Sequence, residues 1–341
     1  MNPTPNHFPK IAILGMGAVT ITIARALTKN KIPFTILARD EFRKKELQDA
    51  PVLFRFKNEN LDSLHFSENT FTLKETKDKF DYIFLGAKSS NLSESIQNSA
   101  SLLSSDGKFI LIQNGIPEES LSIPTKQLIG GVVGWNTQKL PDGIYFQSNI
   151  GTLVLGGVDG TVPELFWEKA LSPYIPVVRT DNLIGYRWHK LGINSVINGV
   201  SASCQLTLGK LMLNVYGRKV SMKVLGEIRS VMDKLEIKEE VVPGSVSVQK
   251  LGDGKGALPV AIRHLILIIL GIKYYKIRTS MVQDLDQGRK TEIQDLNGLV
   301  VQHAKALGLP CSTNESILKR VKELEEGKTK PDLLFLKNLV S

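Results

Sequence analysis

The stretch Ile11–Leu27, "IAILGMGAVTITIARAL", constrains this chain more than any other. A continuous apolar run ends on Gly15-Met16-Gly17, and helical text follows at once. A buried strand that turns directly into a helix through paired glycines opens a strand–helix–strand unit. The first glycine permits the tight turn, and the second lets a charged group approach the backbone. Amides at the start of the helix then face an anion. Gly15, Met16, Gly17 and Ala18 are therefore candidate contacts for a dinucleotide pyrophosphate. The usual fingerprint has a third glycine where this chain has Thr20, and because that position governs close helix–strand packing it leaves cofactor affinity open.

The same alternation continues. Ile11–Gly15, Phe34–Ala38, Asp81–Gly86 and Phe109–Asn114 read as buried strands, separated by helical text over Ala18–Lys29, Glu41–Gln48 and Asn91–Leu103. "LIGGVVGW", "IYFQ" and "GTLVLGG" read as strands closing the sheet, with "LPDG" as a turn between two of them. From Tyr186 onward nearly everything has helical period. The expected fold class is α/β: an N-terminal Rossmann-like doubly wound sheet over 1–182, then an all-α domain over 183–341. Pro243–Pro259 is the most loop-like internal stretch. Apolar Val260–Ile272 reads as a core or subunit-contact helix, with a lid as the weaker alternative, and the tail as a short appended helix.

At 341 residues the chain is long enough for two domains. Lys and Arg number 43 against 34 Asp and Glu, giving +9. No basic stripe interleaves with aromatics, so nucleic acid is not the expected partner; a lysine-rich surface or an anionic cofactor or substrate is sufficient explanation, and the charge alone decides nothing. Two cysteines exclude a disulfide framework and a cysteine-built metal site. Cys204 reads as inert core, and Cys311, after Pro310, as slightly exposed. "MNPTPNHFPK" lacks the pattern of a secretory signal, and the apolar run Leu265–Ile272 falls short of the roughly 20 residues a membrane helix needs. A cytoplasmic protein without a membrane partner is the expectation.

Six residues beyond the glycine loop are candidates for chemistry. Arg39 ends the second strand, where an arginine accommodates a 2′-phosphate and an acid holds ribose hydroxyls. A guanidinium pairs well with phosphate, which favours NADPH, while adjacent Asp40 keeps an inert Arg–Asp pair open. Lys88 and Asn114 each follow a strand, at the edge that faces a ligand in doubly wound sheets, although Asn-Gly also makes ordinary turns. Finally, Lys190, Asn194 and Asn198 stand four residues apart, on one helical stripe flanked by Leu191, Ile193 and Ile197. Such a row is either a solvated face or the wall of a polar site. His189 reads as a structural neighbour of Lys190.

Taken in order, GMGA, Arg39, "GAK", "LIQNG", "WHKLGINSVIN" and "SMVQDLDQGRKTEIQDLNG" resemble the ketopantoate reductase (2-dehydropantoate 2-reductase) family, over almost the whole chain. The resemblance implies a Rossmann-like NADPH domain and a helical domain like the C-terminal one of 6-phosphogluconate dehydrogenase. It also implies reduction of ketopantoate to (R)-pantoate, a step toward pantothenate. Lys190 matches the catalytic lysine, and Asn194 and Asn198 the substrate-binding asparagines. Ser280 matches the serine that helps hold the substrate carboxylate, and Glu292 the glutamate that partners the active-site groups. Gly15, Gly17, Arg39, Lys88 and Asn114 match cofactor-side positions. No metal is implied, because the nicotinamide supplies the hydride. A small 2-oxo acid is the expected partner, and a homodimer is compatible with the family.

The chain departs from the family at Asn91, where a glutamine is usual, and in "GGVVGWNTQ", which places Trp135 and Asn136 near the expected site. Two alternatives therefore stand: a relative that reduces another 2-oxo acid, and a non-catalytic NADPH-binding sensor, for which Thr20 is the motive.

Overall fold

The computed structural model describes residues 8–340, so most of the N-terminal decapeptide read above for a signal lies outside the described residues. The chain divides into two compact units, Met1–Gln113 with Pro117–Leu183, and Asn114–Ile116 with Ile184–Ser341. Nothing in the sequence signals that Asn114–Ile116 belongs with the second unit.

The first unit is built on one eight-stranded sheet. From edge to edge it runs Val177–Thr180, Leu153–Gly157, Leu128–Val133, Leu103–Leu111, Phe80–Leu85, Ile11–Leu14, Thr35–Ala38 and Thr70–Thr72. Every pairing is parallel except that of Leu128–Val133 with Leu153–Gly157. Ile11, Ile13, Phe84 and Ile110 are fully buried, and strands covered on both faces read as unbroken apolar runs. Strand order reverses beside Ile11–Leu14, whose sequential successor lies on one side and Phe80–Leu85 on the other. Ligands of doubly wound sheets bind outside the carboxyl ends at such a point. Gly15 and Gly86 stand there.

One reading of the sheet is corrected. Tyr145–Gln147 does not close the main sheet. It pairs with Thr137–Lys139 and Val52–Phe56 in a separate four-stranded sheet that ends at Asp62–Leu64. The "LPDG" turn is present, with Leu140 N–H donating to Ile144 O at 2.8 Å. The strands Val52–Phe56, Asp62–Leu64 and Thr70–Thr72, of 5, 3 and 3 residues, are too short for any period to show in sequence.

The second unit is helical. Its core gathers Trp188, Leu191, Val220, Leu225, Leu296 and Val300, all buried. The longest helix, Val215–Lys234, starts where the Asn214 side chain accepts from the Tyr216 and Gly217 amides. Two helices contain wide π turns, Ser195–Val200 after the helix Leu183–Asn194 and Gln294–Gly298 before the helix Leu299–Ala306. Pro243–Pro259 is not all loop, since Val248–Leu251 forms a short helix.

Cys311 is buried rather than slightly exposed. Burial and the Glu227 carboxylate push its thiol pKa far up, and burial pushes that of Cys204 up to about 11. Neither is poised as a nucleophile. The helix Val260–Lys273 is not a core helix either, because only Arg263, Leu267 and Gly271 on it are buried. Among the described residues no helix is long and apolar enough to cross a membrane.

Candidate active site

The glycine loop is shaped by local sterics. Gly15 has φ +87°, in the left-handed region that glycine alone adopts freely. A Cβ added at Gly17 would meet nothing within 4 Å, so open space lies over the loop where a pyrophosphate needs to approach. The helix Ala18–Lys29 has no acidic residue in its first turn to compete for that space. Met16 is buried under the loop, while Ala18 opens the helix. This backbone cradle fits the dinucleotide pyrophosphate.

Thr20 completes the loop. Its hydroxyl accepts from Gly17 N–H at 2.8 Å and donates to Gly15 O at 2.9 Å, closing the turn on itself. Room for its methyl comes from the neighbouring strand. A Cβ on Gly86 would lie 2.3 Å from Gly15 O and 2.9 Å from Thr20 Cγ2. The close approach usually given by a third glycine has moved across to Gly86.

Arg39 leaves the end of Thr35–Ala38 with its side chain 80% exposed, and its Nε donates to Asp40 Oδ2 at 2.9 Å. Asp40 is committed elsewhere as well. Its Oδ1 caps the helix Glu41–Asp49 by accepting from Arg43 N–H at 2.7 Å, and this bond with the Arg39 contact holds its carboxyl below the usual range. Arg43 had no signal in the sequence. Its Nη2 donates to Met16 O at 3.1 Å while Nη1 pairs with Glu46, so a second guanidinium supports the glycine loop.

Lys88 is exposed beyond the strand Phe80–Leu85 and pairs with no carboxylate among the described residues. Gln113 Nε2 donates to Leu85 O and Ala87 O, at 2.6 and 2.9 Å, and so fixes the segment leading to Lys88. Trp135 is buried with its indole Nε1 lacking a hydrogen-bond partner among the described residues, whereas Asn136 N–H donates to Asn149 Oδ1.

In the second unit a relay of side chains converges. Asn194 Nδ2 donates to Asn114 Oδ1 at 3.1 Å, and Asn114 Nδ2 donates to Glu292 Oε2 at 3.0 Å. Gly115 makes this possible. It has φ +76°, and a Cβ there would sit 2.6 Å from Asp295 O, so only glycine lets Asn114 come this close to the Glu292 segment. Asn114, expected on the cofactor side, is hydrogen-bonded within the second unit.

Lys190 lies one helical turn before Asn194. It is half-buried, and no hydrogen-bond or ion-pair partner occurs among the described residues. Burial pushes its pKa below the ordinary lysine value, because the charged form is poorly solvated there. Asn198 is buried in the π turn. Ser280 is exposed at the start of the helix Ser280–Asp286, and among the described residues no hydrogen bond joins it to this group.

Two supporting networks were not apparent from sequence. His189 is fully buried, with Nδ1 2.7 Å from Glu239 Oε1 and Nε2 2.5 Å from Ser245 Oγ. Burial alone would raise the Glu239 pKa, but bonds from His189, Ser247 and the Val248 and Gln249 amides outweigh it and hold the carboxyl low. The serine–histidine–acid order is not nucleophilic here, since Ser245 Oγ donates to Val242 O and the imidazole is sealed from solvent. It clamps the Lys190 helix.

The second network joins the two π turns. Asn297 Nδ2 donates to Asn314 Oδ1 at 2.9 Å and to Ser195 O at 3.4 Å, and Asn314 is held in turn by Glu227. A Cβ on Gly199 would lie 2.1 Å from Asn297 Oδ1, so the turns meet at a glycine. π turns recur at functional sites, and these two flank the Lys190–Asn194 and Glu292 positions.

A partly desolvated ammonium releases its proton more readily, which suits donation to an oxygen that is gaining negative charge. Amides and a carboxylate nearby can orient a small polar acid.

The profile described as ketopantoate reductase PanE/ApbA matches residues 11–160, and its C-terminal counterpart matches 182–325. A 2-dehydropantoate 2-reductase of Pyrococcus horikoshii is 24% identical, covering 93% of this chain and 97% of its own length. Two solved structures share the fold: a dimeric ketopantoate reductase of Staphylococcus aureus, and D-mandelate dehydrogenase with NADH and anilino(oxo)acetate. The first has TM-score 0.72 at 18% identity and covers 94% of this chain and 100% of its own. The second has TM-score 0.74 at 18% identity, with coverage of 93% and 98%. With both halves of the sequence matched by its profiles, this chain belongs to the ketopantoate reductase PanE/ApbA family of oxidoreductases.

Proposed function

We propose that this protein is a cytoplasmic NADPH-dependent 2-dehydropantoate 2-reductase, reducing ketopantoate to (R)-pantoate. One observation carries the reading: a half-buried lysine with a lowered pKa stands one turn before the Asn194–Asn114–Glu292 relay. When bound, a reduced nicotinamide supplies the hydride to the ketone carbon. Lys190 donates the proton to the ketone oxygen, help worth roughly 10²–10⁴-fold in rate. Asn194 and Asn198 hold the substrate's polar groups, Ser280 contributes to its carboxylate, and Glu292, positioned by Asn114, accepts from a substrate hydroxyl or orients Lys190.

The preference for NADPH is supported by Asp40. Each oxygen of the Asp40 carboxylate already accepts one bond, from the Arg43 amide and from Arg39, so fewer of its acceptor sites are left for ribose hydroxyls. That leaves the exposed Arg39 guanidinium for a 2′-phosphate, with Gly15, Met16, Gly17 and Ala18 at the pyrophosphate and Lys88 as a further cationic contact.

Purified protein with ketopantoate should consume NADPH faster than NADH, and Lys190→Ala should abolish the loss of absorbance. Arg39→Ala should weaken NADPH more than NADH, and equal weakening would remove the case for phosphate recognition. A second reading, reduction of another 2-oxo acid, draws on the mandelate dehydrogenase likeness. It prevails if ketopantoate holds no advantage across a panel of branched and aromatic 2-oxo acids. The sensor reading loses its motive, because Thr20 fits against Gly86.

A further inference from the structure

His189 is a fully buried titratable side chain that the proposed reaction does not use. Its two nitrogens meet different partners, Glu239 Oε1 at 2.7 Å and Ser245 Oγ at 2.5 Å. Counting hydrogens along this chain fixes which atoms donate. The Glu239 carboxyl also accepts from Ser247 Oγ and from the Val248 and Gln249 amides, at 2.6, 2.6 and 3.2 Å. Ser247 in turn accepts from the Lys250 amide, so its hydrogen goes to Glu239. With donors on every side the carboxyl is ionised, and Nδ1 carries a hydrogen toward it. Ser245 has one hydroxyl hydrogen and gives it to Val242 O at 2.7 Å. Its oxygen is then left to accept from Nε2, which puts a hydrogen on both ring nitrogens.

Charge balance leads to the same state. The Glu239 side chain is only 4% exposed, and a carboxylate buried that deeply is costly without a cation. Its chain neighbour Lys238 does not serve, since that side chain is exposed and faces Glu240 at 3.6 Å. His189 is the group in contact. We propose that His189 is an imidazolium locked to Glu239, and that this pair is a positioning device that sets the rotation of the Lys190 helix.

The device grips at two points. Glu239 accepts the first two amides of the short helix Val248–Leu251, so the charged pair carries that helix with it. Three residues beyond His189, Gly192 receives the same short helix: a Cβ there would lie 2.7 Å from Val248 Cγ2. Held at His189 and Gly192, the helix Leu183–Asn194 cannot turn about its axis. Lys190 and Asn194 then project from another face at a fixed angle. A rotation of about 10° moves a group about 6 Å from the axis by about 1 Å. A displacement of that size can cost roughly 10²-fold in rate.

The effect on turnover rests on the reaction proposed above; the locked charge does not. Nitrogen-15 NMR of the histidine-labelled full chain at about pH 8, well above the ordinary histidine value of about 6.5, reads the ring directly. The chain has five histidines, and His189→Gln assigns the signal by its loss. Two ring nitrogens of like shift, each with a slowly exchanging hydrogen, are expected; one bare nitrogen overturns the proposal. His189→Gln and Glu239→Gln should each melt lower than wild type, since each strands one buried charge, and the double variant should melt above both. A single variant that fails to fold beside a folded double gives the same support, whereas a double that loses the sum of both overturns the pairing. On a 2-oxo acid that the wild type reduces, His189→Gln should lower kcat about tenfold or more and raise KM for the acid, with NADPH binding preserved. Unchanged kinetics in a variant that merely melts lower overturns the positioning role. A wild type inert toward every 2-oxo acid removes the proposed reaction, and the ring spectrum and the variant cycle then decide the pair by themselves.

Discussion

Lys190 is held in a place that disfavours its own charge. Its lowered pKa means that the folded state binds its proton less tightly than the unfolded chain does. Stability contributed by this group therefore rises with pH, from the lowered folded value up to the ordinary lysine value near ~10.4. Lys190→Met should melt higher than wild type at pH 7, with the gap closing as pH approaches that of free lysine, while turnover falls by roughly 10²–10⁴. A lower melting temperature for the variant would sink the account. Turnover of the wild type should likewise fall as pH rises through the lowered pKa, earlier than an unperturbed lysine would dictate. Asn114→Ala separates two roles for one side chain. Bonded to Glu292 and Asn194, it should raise KM for the 2-oxo acid about tenfold or more, at about 1.4 kcal/mol per decade, and leave NADPH affinity unchanged. Lys190, Asn194 and Glu292 stand out in the sequence because the motif text is specific, and their place in the reaction rests on the Lys190 variants above. Asn114's partners do not stand out, since hydrogen bonds across 80 and 178 residues leave no local pattern.

Among elements, those with long uniform periods were readable and those set by close approach were not. The helix Ala18–Lys29 matches its expected bounds because an apolar face and paired glycines mark both its entry and its period. Tyr145–Gln147 was misplaced because an alternating tripeptide says nothing about which sheet receives it. The swap of a third glycine for Gly86, just beyond the strand Phe80–Leu85, is equally invisible in one dimension. Gly86→Ala should test it: a Cβ 2.3 Å from Gly15 O forces the loop apart, costing about 1–3 kcal/mol in stability and sharply weakening cofactor binding in a titration by intrinsic fluorescence. The paired π turns offer another test. Asn297→Leu removes the donor to Ser195 O, and loss of a buried hydrogen-bond partner costs about 1–3 kcal/mol. Its kinetic signature should be a raised KM for the oxo acid with NADPH binding preserved, whereas a purely structural residue would lower the melting temperature alone.

For the whole molecule, a net charge of +9 decides nothing about partners by itself, and burial holds the thiols of both cysteines in the unreactive protonated form. The excursion Asn114–Ile116 has a different reach. Ile116 is only 6% exposed within the core of the helical unit, while Asn114 supplies the partner of Glu292. A gene fragment encoding 184–341 would thus be born with a hole in its interior and a gap in its polar relay, deficits of the size of a large-to-small core substitution, roughly 2–5 kcal/mol. Such a fragment should express poorly beside the full chain. The two units are not interchangeable modules: a crossover near residue 183 separates the helical half from three residues it needs, so recombination that swaps cofactor domains must carry along a matching Asn-Gly-Ile.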